Sequence, residues 1–202
     1  VISLAIERYL RFLRDKETDT AKFRWASDNL AQLLCAEALA KLPHATVEIN
    51  TPVGTTTGPE IDVDLMVVPI YRAGQSLVQP FLAVVPGTPV GSLLIQRNEE
   101  TAEPKLFYEK LPNPLPEYAV ILDPMLATAG SAVMAVQVLK QAGYPSEKIH
   151  FLGVVASQVG YERLASLIPE TNITLAAIDP ELNEQKYIVP GLGDYGDRYF
   201  GA

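Results

Sequence analysis

The sequence predicts an open α/β fold, a central mostly parallel sheet flanked by helices. Three observations carry that expectation. From residue 61 onward, short apolar runs alternate with helical stretches. The runs are apolar on both faces, as strands covered on both sides must be. Each of most of these runs leads into a segment with helical spacing, the order expected of parallel strands joined by crossover helices.

Taken in order, Ile2, Ile6, Tyr9, Leu10 and Leu13 recur at helical spacing and predict an amphipathic helix over 2–14. Thr18 or Thr20 can cap a second helix, which carries Phe23, Leu30, Leu33, Leu34 and Leu42 and stops at Pro43. Val47, Ile49 and Thr51 alternate ahead of Pro52, Gly54 and Gly58, which reads as a hairpin. The strands follow. LMVVPI (65–70) leads into RAGQSLVQPFLAVVP, and GSLLIQ (91–96) into a polar stretch. YAVILDP (118–124) leads into GSAVMAVQVLKQAG, where Gly143 closes the helix after Lys140 and Gln141. IHFLGVVA (149–156) leads into GYERLASLIP, and NITLAAI (172–178) into a Gly/Pro-rich tail. No internal repeat or low-complexity linker interrupts residues 1–202, so they read as a single domain with an N-terminal helical layer.

Composition narrows the function classes. Hydrophobic residues make up 48% and charged residues 20% of 202, which excludes disorder as the main state. No apolar run approaches the roughly 18 residues of a membrane span. Glu7 and Arg8 break the opening segment, so it is not a signal-peptide core. The single cysteine, Cys35, cannot form an internal disulfide, which points to a reducing, cytoplasmic setting. The net charge of -8 argues against a nucleic-acid partner, yet leaves room for a small phosphorylated ligand in a local basic pocket. Proline is in excess, 16 residues or about 8% against a usual 5% or so.

In open α/β sheets, ligands bind beyond the carboxyl ends of the strands. Three such ends are informative. VVPIYRAG (67–74) ends in Arg72, a planar fork suited to phosphate oxygens, with Ala73 and Gly74 allowing close approach of a ligand. Alone, this segment reads better as an ordinary turn with a surface arginine. VILDPMLATAGSAVMAV (120–136) runs from a strand ending at Asp123, through Ala127-Thr128-Ala129-Gly130-Ser131, into a helix. Small and hydroxyl residues there aim backbone N–H groups and the positive helix end at one point, an anion site suited to a phosphate monoester. A turn capped by Ser131 is the plainer alternative. The lysine of a nucleotide P-loop is absent. YIVPGLGDYGDRYF (187–200) reads as a fixed loop whose backbone could read a planar heterocycle, or equally as a structural tail. Between them, the polar stretch 95–114 suits an active-site flap or a solvated hairpin arm, which are compatible.

With these segments in view, the chain resembles the uracil phosphoribosyltransferases, a branch of the type I phosphoribosyltransferases. The resemblance runs from LRDKETDTAKFR (13–24) to RYFG (198–201) and is most specific in VPIYRAG, RNEETAEP, DPMLATAGSA, LNEQKYIVPGLGD and GDR. It implies a type I phosphoribosyltransferase fold with a flexible β-hairpin flap. It also implies transfer of the phosphoribosyl group of 5-phospho-α-D-ribose 1-diphosphate (PRPP) to N1 of uracil, giving UMP and pyrophosphate with Mg²⁺ participating. On this reading Asp123, Pro124, Met125, Leu126, Ala127, Thr128, Ala129, Gly130 and Ser131 match the PRPP loop. Arg72 and Arg97 match the arginines associated with the diphosphate. Ile188, Gly193, Asp194 and Tyr195 match the uracil segment, with Asp194 also at the PRPP site. Mg²⁺ would be bound mainly through the substrate diphosphate rather than by a protein cluster. The resemblance further implies a homodimer or homotetramer, a GTP effector in some relatives, and a short His-Pro-Leu-like segment upstream.

Three residues depart from the family pattern. Ala129-Gly130 stands where Gly-Gly is usual. If position 129 needs a positive φ, alanine costs about 1–2 kcal/mol there; if it is right-handed, nothing. Tyr195 replaces a residue that is small in bacterial members, and alters base choice only if its side chain enters the pocket. Tyr71 replaces an aliphatic residue. Two alternatives share the fold: a nucleotide-binding regulator without significant turnover, disfavoured by the Arg72, Arg97, Asp123 and Asp194 set, and a transferase for another nucleobase, motivated by Tyr195. His44, His150 and Cys35 read as structural, and the Asn172 sequon as coincidence.

Overall fold

The computed structural model describes residues 3–97 and 104–202, the side chain of Arg97 excepted. The N-terminal layer consists of α1 (Leu4–Arg14) and α2 (Thr20–Leu39). Ser3 caps α1. The cap of α2 is Asp19, not Thr18 or Thr20: its carboxylate accepts from the Lys22 amide at 2.8 Å, a stronger bond than a hydroxyl would give at a positive helix end. The helix stops at Leu39, so Leu42 follows it. The expected hairpin is β1 (His44–Thr51) and β2 (Gly54–Ile61), antiparallel around Pro52-Val53.

The central sheet contains β3 (Leu65–Tyr71), β4 (Ser92–Arg97), β5 (Pro104–Lys110), β6 (Tyr118–Leu122), β8 (Ile149–Leu152) and β10 (Ile173–Thr174), in the spatial order β10-β8-β6-β3-β4-β5. All neighbours are parallel except the β4/β5 hairpin. That hairpin occupies the stretch expected to form the flap; the flap residues 98–103 lie outside the described residues. After β3 comes a 3-10 turn (Ala73–Leu77) before α3 (Val78–Val84).

Two apolar runs read as single strands are each divided in two. The run 149–156 breaks at Gly153-Val154 into β8 and β9 (Val155–Ser157), and 172–178 breaks into β10 and β11 (Ala177–Asp179). With β7 (Met125–Leu126), β9 and β11 make a separate parallel sheet in the order β11-β9-β7. Gly153 permits the step, since a Cβ there would lie 2.6 Å from the Asp123 carbonyl oxygen. Both halves are apolar, so hydropathy carried no sign of the offset.

Alternation along the strands divides the interior into two cores. Leu65 and Val67 of β3, Val120 and Leu122 of β6, and Leu152 of β8 face α1, α2 and α3. Met66, Val68 and Ile70, Ala119 and Ile121, and Ile149 and Phe151 face α4 (Gly130–Gln141) and α5 (Gln158–Ala165). This is why the strands look apolar on both faces. No helix among the described residues is long and apolar enough to cross a membrane.

The order of the strands places the site. The chain steps from β3 to β4 on one side, then returns to lay β6 on the other side of β3. The connections leaving β3 and β6 therefore diverge, and a crevice opens beyond their carboxyl ends.

Candidate active site

A cleft of about 370 Å³ lies at that crevice. Ala73 after β3, Met125 and Ala127 after β6, and the segments 185–188 and 193–196 line it. The sequence reading had already placed Met125, Ala127, Ile188, Gly193, Asp194 and Tyr195 at the site. Ala73 was expected to allow a ligand close, and Tyr187 and Gly196 fell within the segment 187–200, but Gln185 and Lys186 had no role. The missed signal was the polar run Asn183–Lys186 between Leu182 and Ile188, which is the turn of a second small hairpin, β12 (Glu181–Leu182) and β13 (Ile188–Val189). Asn183 closes that turn, accepting from the Tyr187 amide at 2.8 Å.

The segment expected to form a phosphate loop runs from Asp123 to Ser131. β6 ends one residue earlier than expected, at Leu122, and the Asp123 amide bonds the Leu152 carbonyl at 3.2 Å. Ala129 is the N-cap residue of α4, with φ 59° and ψ 8°. The left-handed branch of the expectation therefore holds: alanine occupies a conformation that glycine adopts freely. The Ala129 side chain makes no capping bond, and Ser131 is not the cap. The loop's outer carbonyls are held against α5. Ser157 Oγ donates to the Ala127 carbonyl at 2.6 Å and Arg163 to that of Thr128 at 3.0 Å. Gly160 is needed for this fit, because a Cβ would lie 2.3 Å from the Ala127 oxygen.

Arg72 follows β3 through a cis Tyr71–Arg72 peptide bond. Its guanidinium pairs with Asp197, and its side chain is 56% exposed. Packing requires Gly74: a Cβ there would lie 2.2 Å from the Leu122 carbonyl oxygen. The side chain of Arg97, at the end of β4, lies outside the described residues.

The C-terminal segment is more ordered than a loop. It ends in the short helix α6 (Tyr195–Phe200), for which Asp194 is the cap, accepting from the Asp197 amide at 2.8 Å. Gly191 and Gly193 have positive φ, 57° and 81°. Two arginines fix this segment. Arg14 forms a two-pronged pair with Asp179, both contacts 2.7 Å, and donates to the Gly191 carbonyl at 2.8 Å. Arg198 donates to the carbonyls of Leu13, Leu192 and Asp15. Burial raises the Asp179 carboxyl, but the bonds from Arg14 and the Gly191 amide outweigh it and hold it below its ordinary value. Tyr195 is 1% exposed. Its ring meets Phe23 edge-on at 5.2 Å and its hydroxyl bonds Ser27 of α2. Burial pushes this phenol up to about 12. The side chain is thus committed to the core, and only the small remainder of the residue faces the cleft.

Of the residues set aside as structural, Cys35, His150 and Asn172 are so placed, whereas His44 is exposed at the start of β1. Cys35 is buried, its thiol pushed up to about 12. His150 is 3% exposed and lowered to about 4, by burial first and then by Lys41. Asn172 is buried and donates to the Glu147 and Ile149 carbonyls, each at 3.0 Å, so this amide is not presented for glycosylation.

The family model described as Uracil phosphoribosyltransferase matches residues 3–202. A uracil phosphoribosyltransferase of Campylobacter concisus is 40% identical over 98% of this chain and 94% of its own length. The Saccharomyces cerevisiae protein of that name is 43% identical over 93% of this chain and 88% of its own. A solved structure of an Aquifex aeolicus protein superposes with a TM-score of 0.86 at 33% identity, covering 100% of this chain and 97% of that one. A hypoxanthine-guanine phosphoribosyltransferase from Bacillus anthracis, at 7% identity and a TM-score of 0.51 over 77% of this chain and 78% of its own, shares the fold alone. With the family model matching residues 3–202 and identities near 40% over almost the whole length, the chain belongs to the uracil phosphoribosyltransferase family.

Proposed function

We propose that the cleft carries out uracil salvage, transferring the phosphoribosyl group of PRPP to N1 of uracil to give UMP and pyrophosphate. The observation that carries the reading is convergence at the switch-point crevice. Ala73, next to Arg72, lines one side of it, Met125 and Ala127 of the loop leading into α4 another, and the segments 185–188 and 193–196 the third, with Arg72 Nη2 close to Gly196.

Each part has a task. The amides at the start of α4, with the Thr128 and Ser131 hydroxyls, would hold the 5-phosphate, favoured there by the helix dipole. Asp123 would lie beside the ribose. Arg72 and Arg97 would offset charge growing on the diphosphate as its bond to C1 breaks. Backbone groups of Ile188 and Gly193-Asp194-Tyr195 would read the flat edge of uracil, positioned for attack by N1 on C1. The β4/β5 hairpin would exclude water that intercepts the sugar cation.

The donor set suits Mg²⁺. Among the described residues no cluster of three or more His, Cys, Asp or Glu is arranged to enclose an ion. Mg²⁺ commonly keeps several waters and binds through substrate phosphates and one or two carboxylates. Asp123 and Asp194 are the carboxylates this chain would contribute; the ion would neutralise diphosphate charge. A homodimer or homotetramer belongs to the same reading, supported by the exposed apolar residues Leu4, Trp25 and Val53.

The test is direct. Protein, Mg²⁺ and PRPP are mixed with each nucleobase in turn, and nucleotide and pyrophosphate are measured. Uracil-dependent UMP with equimolar pyrophosphate is expected. Product from another base alone would replace uracil in the reading, and nucleotide binding without turnover would favour a regulator.

A further inference from the structure

One contact of Arg72 has no part in the reading above. Its Nη2 donates to Asp197 Oδ1, across 125 residues of sequence. Its guanidinium carbon also lies 5.6 Å from the centre of the Phe200 ring. Both partners belong to α6. A half-exposed arginine left to itself samples many rotamers, so two contacts from one helix restrict where its fork points.

The helix can serve as a fixed support because it is bolted to α2. Arg24 donates to the carbonyls of Tyr199 and Phe200, at 2.5 and 3.1 Å. The Tyr199 hydroxyl donates to Asp28 at 2.9 Å, and Tyr195 bonds Ser27. Gly196 sits between the two charged groups of the site. A methyl group on it would lie 3.4 Å from Asp194 Oδ1 and 3.5 Å from Arg72 Nη2.

We propose that Asp197 is a positioning residue whose carboxylate orients the Arg72 guanidinium toward the diphosphate of the donor. The six residues of α6 thereby tie the diphosphate side of the site to the base side, which Asp194 borders. The inference rests on the phosphoribosyl-transfer reading and deepens it.

The test uses the whole chain with Asp197→Asn, Asp197→Glu, Arg72→Gln, and the Arg72→Gln/Asp197→Asn pair. Magnesium pyrophosphate is titrated into each by calorimetry, and steady-state rates are measured with PRPP and uracil varied separately. Asp197→Asn is expected to weaken pyrophosphate binding and raise KM for PRPP about tenfold, the order of one charge-assisted hydrogen bond, leaving KM for uracil unchanged. Asp197→Glu, which keeps the charge, recovers most of the binding. In the Arg72→Gln background the Asn substitution has no further effect, because its route is already cut. Equal rises in both KM values, additive losses in the pair, tighter pyrophosphate binding by Asp197→Asn, or a loss in Asp197→Glu as large as in Asn would each overturn the proposal. A parent chain that binds pyrophosphate but makes no UMP strikes the uracil reading alone. Pyrophosphate binding indifferent to Asp197→Asn strikes this inference alone.

Discussion

The two segments that frame the cleft are held in opposite ways. The phosphate loop, 123–131, is fixed by its immediate surroundings: the end of β6, the start of α4, and α5 packed behind it. The C-terminal segment, 187–196, is fixed from afar, by Arg14 at the end of α1, by Arg198 reaching back to Leu13 and Asp15, and by Tyr195 reaching Ser27. Local restraint makes 123–131 part of the sheet and the helices packed on it. Remote anchoring ties the C-terminal segment to α1 and α2 and leaves the sheet untouched.

Arg14→Gln breaks the contrast most severely. It strands the Asp179 carboxylate, 6% exposed against 26% for Arg14, and about 3 kcal/mol of stability is expected to go, read from urea unfolding. KM for uracil should rise more than KM for PRPP; equal rises would mean the two segments are not separately held. Tyr195→Phe is milder. It leaves the Ser27 hydroxyl short of a partner, at about 1–2 kcal/mol by the same measurement. The ranking of nucleobases should not move, and a changed ranking would place the side chain in the cleft after all.

How much of this could be read from the chain beforehand follows the same division. The β3, β6 and α4 segments were legible because their signals are contiguous: an apolar run, then small residues, then helical spacing. The left-handed Ala129 was legible only as a choice between two branches, since one residue does not reveal its own φ. Helix α6 was not legible. It has six residues, includes Gly196, and owes its place to contacts with α2 rather than to periodicity. The tie between Asp197 and Arg72 was hidden for the same reason, as 125 residues separate them. The offset of β8 from β9 leaves no trace because Gly153 acts through a backbone clearance, not through hydropathy.

Ala129→Gly tests the phosphate loop with a smaller effect. Relief of the left-handed alanine is partly offset by the greater freedom of glycine in the unfolded chain, so a gain of about 0.5–1 kcal/mol is expected in the unfolding midpoint. A loss would mean the position is not strained. Acid supplies the mildest contrast. The Asp179 carboxyl lies below its ordinary 3.8 in the folded chain, so its contribution to stability is complete above that value and fades as pH falls through the folded pKa. Lowering the pH below about 4 should speed amide exchange in 187–194 before 123–131, followed by hydrogen exchange. Simultaneous release would show one cooperative unit instead of two.

The bonds from Arg14 to Asp179 and from Arg198 to Leu13 span 165 and 185 residues. During synthesis residues 123–131 can form against their neighbours while the ribosome is still at work, whereas the segment 187–196 waits for Arg198 to emerge and meet residues made at the outset. On the proposed reading, a nascent chain would hold a phosphate before its site is complete, and translation that stops short of Arg198 would yield a product without the frame to receive a base.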